Sequence, residues 1–477
     1  MKTLYIIKPQ KLDLKFLTEK FKPNFDLNVD SAYLIIHLII VLGSEKNNRK
    51  VVRLHSKMLE KLIGRNYHKY FDYLLENYPA TGSVLKGFRY SKNKPFGYTL
   101  TNYYYDGGFE LHEINSMKII NKFNQEFVKN IKNEQIRTNY YFLMKYFNKD
   151  KLSVYKPNQA LLEANQLPEH KRLKNMKNIL DILNGKYSVK LKPTTDGRVH
   201  SNITRLSKHF RKYLQYEDEF LAEIDISSSV LFSLFIIMNL YIDNNLTYLT
   251  QFTYNSNPYI YMFDKVTGDI DKSELHNFGE LILNGIIYEE FSRLILSPKI
   301  YEDVGQDYQK AEKYYLYEFK KLFGHNFDGC TEELKKFSKK RLLGMLFAPT
   351  NTYKFEQVVF KTLFPSILKF INEYKNTLQY KDCEKFNWDK RNCHKKLSHL
   401  CFQFEAKVMI DKIAREFNKL HKGKVPIYTL HDCLLITSSY AEELKTYMVS
   451  FMLKLFGIAP NLTLEYSKFD TSYRMVS

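Results

Sequence analysis

The chain has 477 residues, 44% of them hydrophobic, which is ample for a sizeable core and excludes an intrinsically disordered protein. A formal net charge of +20 and a pI near 9.3 call for a polyanionic partner, nucleic acid first, because Lys and Arg displace counterions condensed on phosphates. Five cysteines, an odd number, and an N-terminus without a secretory pattern give the expectation of reduced thiols in a cytoplasmic protein.

Residues 1–30 are basic and mixed in character. Residues 31–112 read as a small domain of their own. The apolar run 32–42 is too short to span a bilayer, which takes roughly 20 residues, and reads as a buried helix; the same holds for 230–240, so no membrane partner is expected. Residues 53–64 carry apolar positions at helical spacing and end on Gly64, and 67–78 place Tyr70, Phe71, Leu74 and Leu75 on one side. Two extended segments follow, 83–90 and 98–104, joined by the basic turn 91–97 with Lys92 and Lys94 at its tip. Helix, turn, helix and basic-tipped hairpin resembles a winged helix, in which the second helix enters the major groove and the wing touches backbone. The Tyr103-Tyr104-Tyr105 run reads as strand packing rather than a base platform. Residues 113–190 read as helices rich in Lys, Asn and Tyr.

From residue 191 onward an ordered set of chemical landmarks appears. Residues 197–212 alternate small polar residues with Arg and Lys, a composition suited to contacts with a nucleic-acid backbone. Residues 220–225 read as a half-buried strand closing on Asp225. Ser227, Ser228 and Ser229 then cap a buried helix. Read alone, Asp225 serves equally as a catalytic carboxylate or as a cap. Residues 332–347 form a strong helical pattern with Lys335, Lys339, Leu343 and Phe347 on one face, able to hold a triphosphate at one end and stack on a base at the other, or else a solvated basic helix. Finally, His431 and Asp432 interrupt two β-rich runs, 426–430 and 433–437, and polar residues inside an apolar hairpin are costly unless a site needs them. Two such carboxylates can share two Mg²⁺, with Mn²⁺ as a substitute, and drive phosphoryl transfer.

Together the landmarks resemble the family A DNA polymerases and phage-type single-subunit RNA polymerases. Asp196-Gly197-Arg198 with Ser201 to Arg205 looks like the primer–template motif, and Asp225-Ile226-Ser227 like motif A. Lys335, Lys339, Leu343-Gly344 and Phe347-Ala348 look like the fingers helix, and His431-Asp432 like motif C, with Gln403 and Glu405 opening a helix like the one before it. The resemblance implies an α+β right hand: an antiparallel palm within 191–477, helical fingers inserted at about 265–380, and a reduced thumb in 113–190. It implies that Asp225, Asp432 and the Ile226 carbonyl hold metal, and that Lys339, with Lys335, Leu343, Phe347 and Val230, binds the nucleoside triphosphate. Arg198, Arg205, Lys208, Asn202, Thr204 and Gln403 would contact nucleic acid, and His431 would orient the primer terminus. The chain departs from the DNA enzymes at Val230 and Cys433, where they carry Glu, and these two changes lean towards RNA synthesis. Lys335 stands where the family has Arg, and Phe347 lacks the hydroxyl of the family's Tyr. The expected function is a template-directed polymerase of a phage or mobile element. The alternatives are a non-catalytic DNA-binding initiator with a degenerate palm and a template-independent terminal transferase. Cys383, Cys393, His394, His399 and Cys401 match no common zinc spacing, and Trp388 among them reads as local packing.

Overall fold

Alternation along one strand organises the molecule. In the computed structural model, which describes residues 3–43, 51–79, 81–88, 96–127, 139–193, 195–254, 257–377 and 390–471, the strands in chain order are β1 (Leu4–Pro9), β2 (Leu85–Phe88), β3 (Gly97–Leu100), β4 (Phe109–Ile114), β5 (Leu152–Val154) and β6 (Lys190–Leu191). They continue with β7 (Val199–His200), β8 (Leu214–Tyr216), β9 (Glu219–Ile226), β10 (Ile427–Leu430), β11 (Cys433–Thr437) and β12 (Leu462–Glu465). Helices fill most of the remainder, so the fold is mixed α+β. Among the described residues no helix is long and apolar enough to cross a membrane.

The main sheet runs β10-β11-β9-β8-β5, antiparallel throughout. Strand β9 is its centre: β11 lies along one edge, while β8 and β12 divide the other, β8 at Glu219 and Phe220 and β12 at residues 223–226. Successive side chains point to opposite faces. Ala222, Ile224 and Ile226 of β9 join Leu434 and Ile436 of β11 in one core, which also holds the apolar helix Ser229–Ile242. Leu221, Leu435, Cys433, Tyr428 and Leu430 face the other way, into a second core built mostly from residues before 190. Both faces of the sheet are therefore covered.

The second core joins residues on both sides of positions 30 and 112. Strand β1 pairs with β4 over their full lengths, from Leu4 opposite Ile114 to Pro9 opposite Phe109. Asn184 bonds both the amide and the carbonyl of Tyr5, at 2.8 and 2.7 Å. Asn165 does the same for Phe109, at 2.9 and 2.6 Å. Residues 4–30, the helices of 31–112 and the helices Pro157–Asn165 and Glu169–Leu183 thus share one core, and β5 carries this region directly into the main sheet. The helix pair Ser56–Leu62 and Tyr67–Leu75 and the β2–β3 hairpin are present. The hairpin's extended part is shorter than expected: Asn102–Tyr105 is a helical turn with Tyr104 and Tyr105 buried. Lys92 and Lys94 lie outside the described residues.

Between β9 and β10 the described chain is helical, from Ser229–Ile242 to Arg415–Leu420. The helix Lys396–Ala406 passes directly into a π-helical segment, Lys407–Ala414, and then into Arg415–Leu420. Such segments recur at functional sites.

Candidate active site

The register of two strands fixes the carboxylates. Asp225 lies opposite Cys433 in the β9–β11 pair, and Asp432 is the turn residue just before Cys433. The amide of Ile226 donates to the Asp432 carbonyl at 3.3 Å, which ties the two segments together at the same end of the sheet. Asp225 shares a face of β9 with Glu223, since strand side chains repeat every two residues. Burial, then the charge of Asp432, raise the Asp225 carboxyl from its usual 3.8 to about 6, against the opposing pull of Lys208 and Lys339. Coupling of this kind places both carboxyls in one electrostatic site.

Two backbone outliers flank it. Ser228, with φ of +56°, and His431, with φ of +66°, both occupy the left-handed region that non-glycine residues rarely adopt. The serines do not cap as expected. Ser228 precedes the helix Ser229–Ile242 without a side-chain cap bond and instead hydrogen-bonds Tyr288, while Ser229 Oγ donates to Asp432 Oδ2 at 2.9 Å. His431 is pushed down to about 4 by burial and by the charges of Arg198 and His200. Its Nδ1 is buried without a hydrogen bond, and its ring lies 5.4 Å from that of His200.

The basic helix Thr331–Phe347 divides its cations. Lys339 is exposed, makes no ion pair among the described residues, stands 5.3 Å from the Tyr288 ring centre and acts on Asp225. Lys335 pairs with Glu289. Arg341 is buried instead, bonded to Glu356 at 2.7 Å, to Glu318 at 2.8 Å and to the Tyr314 hydroxyl. Leu343 and Phe347 are half-buried, with Phe347 6.1 Å from the ring of Phe402, and Val230 is half-buried against the core. A Cβ at Gly344 would meet the Tyr353 hydroxyl at 2.7 Å, so glycine lets these elements approach.

The residues expected to grip nucleic acid separate into two groups. Arg205 and Lys208 are exposed, Lys208 pairing with Glu465 at 2.8 Å. Thr204 forms a capping box with Ser201. Asn202 and Gln403, by contrast, are buried, and their amides are already taken. Asn202 bonds the Ser188 amide and the Lys186 carbonyl; Gln403 bonds the Thr195 carbonyl, the Tyr259 hydroxyl and the Tyr254 amide. In this conformation Asn202 ties down the 186–188 segment and Gln403 joins residue 195 to Tyr254 and Tyr259. Arg198 gives Nε, at 3.1 Å, and Nη2 to Glu405 Oε1, and its guanidinium lies 4.3 Å from the Phe402 ring centre.

Sequence reading missed Tyr288, the burial of Arg341 and the links of Ser229 and Glu405 to the site. Tyr288 has no motif around it. The other three depend on which face of a helix turns inward.

Among the described residues no group of three or more His, Cys, Asp or Glu side chains lies placed to hold a metal. Two coupled carboxylates still suit Mg²⁺, which keeps waters and binds through one or two carboxylates plus substrate phosphates. Cys383 and Trp388 lie outside the described residues, Cys401 is buried, and burial lowers His399 to about 4. No protein-family model and no curated protein matches the chain.

Proposed function

We propose that the chain is a template-directed nucleotidyltransferase with a right-hand arrangement. The main sheet is its palm and the helices within about 265–380, between β9 and β10, its fingers. The observation that carries this reading is the placing of Asp225 and Asp432 at one end of the sheet, Asp225 opposite Cys433 and the Ile226 amide on the Asp432 carbonyl at 3.3 Å, with Lys339, which makes no ion pair among the described residues, acting on Asp225.

Asp225, Asp432 and the Ile226 carbonyl would hold Mg²⁺. Bound magnesium makes a 3′-hydroxyl a better nucleophile and offsets charge on the phosphates. Lys339 neutralises the triphosphate, and Phe347, on the same helix face, stacks near the new base pair. Ser229 orients the Asp432 carboxylate, so this ligand is set before substrate arrives. Arg205 and Lys208, exposed beside the palm, take backbone phosphates of primer and template. His431, held in a left-handed turn beside Asp432, would orient the primer terminus.

Primer extension with Mg²⁺ tests the reading. DNA and RNA templates, a no-template control, and dNTPs or NTPs in turn are run with wild type and Asp225→Ala. Templated extension that drops at least about a thousandfold in the variant, with nucleic-acid affinity kept, supports it. Extension without a template assigns terminal transfer. Tight binding with no incorporation in any condition assigns a non-catalytic initiator.

A further inference from the structure

A small cavity opens between residues 208–212 and the strands β9 and β12. Its volume is about 190 Å³, below the roughly 300 Å³ at which pockets begin to enclose a whole organic ligand, so it has room for a group the size of one phosphate. Glu223 lines it and lies two residues before Asp225 on the same face of β9. In the register with β12, Glu465 stands opposite Glu223 and Thr463 opposite Asp225. The cavity wall therefore begins one strand repeat, about 7 Å, from Asp225.

Four cations line the cavity: Lys208, Arg211, Lys212 and Lys468. Three of them already have carboxylates. Lys208 pairs with Glu465 at 2.8 Å, Arg211 with Glu223 at 3.1 Å and Lys212 with Glu163 at 2.8 Å. Lys468 is exposed and makes no ion pair among the described residues, so four cations against three carboxylates leave one positive charge in excess.

Arg211 is an independent sign of a ligand. Its side chain is only 18% exposed, and among the described residues Nη1 is its one hydrogen-bonded nitrogen. Nε is buried and meets no acceptor. An unbonded N–H on a buried, charged guanidinium is costly, and an oxyanion in the cavity would offer the missing acceptors.

We propose that this cavity is a phosphate-binding site that seats one backbone phosphate of the bound nucleic-acid strand. Arg211 gives its free N–H groups to the phosphate oxygens, and Lys468 supplies the uncompensated charge. Contact of this kind fixes the strand's position without reading its bases. Free inorganic phosphate has the same chemistry and is the other source of the ligand. The site goes beyond the nucleotidyltransferase reading and does not need it, because a strand held without chemistry would use it equally.

The test uses the full chain with two substitutions. Lys468→Ala removes an exposed, unpaired charge. Arg211→Lys keeps a cation against Glu223 but loses the planar fork. Affinity for a fluorescent primer–template is read by anisotropy between about 50 and 200 mM salt. A series of primers, each with one neutral methylphosphonate in place of a phosphate, locates the contact. Each variant is expected to bind roughly tenfold more weakly, and Lys468→Ala to lower the salt slope by about one. One methylphosphonate position should weaken wild type to the level of Lys468→Ala and leave Lys468→Ala itself unchanged. Melting curves separate these losses from unfolding, and Lys468→Ala decides alone if Arg211→Lys melts early. Unchanged affinity and slope in the variants would overturn the strand as the ligand, as would a wild type that binds no strand. Calorimetric titration with inorganic phosphate then settles the site: heat that disappears in the variants keeps it as a free-phosphate site, and no heat in wild type overturns it. Extension activity enters none of these readouts, so failure of the nucleotidyltransferase reading leaves them intact.

Discussion

Asp225 and Cys433 are direct partners in the β9–β11 register, so a carboxylate and a buried thiol sit side by side on the same face as Glu223. Burial, followed by the charges of Glu223 and Asp225, raises the Cys433 thiol well above its usual range and keeps it neutral. A third negative charge here would act directly on Asp225. Cys433→Asp is expected to move the acidic limb of the pH–activity profile upward by about one unit, whereas Cys433→Ser leaves it in place. Profiles of kcat/KM between pH 5 and 9 for the three proteins check this, and coincident limbs would refute it.

Stability carries the mark of the same carboxylate. The Asp225 carboxyl titrates at about 6 in the fold and at 3.8 as an ordinary side chain. Between those values the folded state holds a proton that the unfolded state lacks. This contribution is fully present below the ordinary value and is lost as pH rises through about 6. In metal-free buffer Asp225→Asn should therefore melt a few degrees above wild type at pH 7, and the gap should close towards pH 4. A gap that is constant with pH would exclude this origin.

Lys339 and Lys335 occupy the same helix face, one turn apart, but differ in what already holds them. Lys335 is paired with Glu289, and Lys339 has no anionic partner among the described residues. Lys339→Ala is expected to raise the KM for nucleotide roughly 10- to 100-fold, the size of a charge-assisted bond, and Lys335→Ala only a few-fold. Steady-state titration of the nucleotide at saturating primer–template separates them. Equal effects would argue against Lys339 as the triphosphate contact.

Arg341 predicts stability rather than catalysis. Its partner Glu356 is fully buried, so Arg341→Ala leaves an uncompensated charge in the core and should destabilise by about 3–5 kcal/mol. Lys340→Ala, next to it but exposed, should stay within about 0.5 kcal/mol. Denaturant midpoints for the two variants give the comparison.

Much of the main sheet was visible in the sequence because its signals are local. The alternation leading to Asp225, the apolar helix after it, and the polar pair interrupting 426–437 all appear in short windows. What was not visible is long-range. Nothing in residues 4–9 announces that they pair with 109–114, a pairing that links segments on either side of 30 and 112. Which polar residues turn inward was likewise not visible. Asn202, Gln403 and Arg341 each satisfy buried partners, a choice that depends on neighbours distant in the chain.

A sheet covered on both faces also sets a timetable for synthesis. Strands β5, β8 and β9 leave the ribosome long before β10 and β11, which are more than 200 residues behind β9 and whose Tyr428, Leu430, Cys433 and Leu435 complete the N-terminal core. Until those strands arrive, the growing chain carries an open apolar face and the unpaired edge of β9, two features that invite aggregation. The carboxylate pair is thus completed by the same late event that closes the core, so a chain interrupted before residue 427 has neither a finished fold nor a second carboxylate.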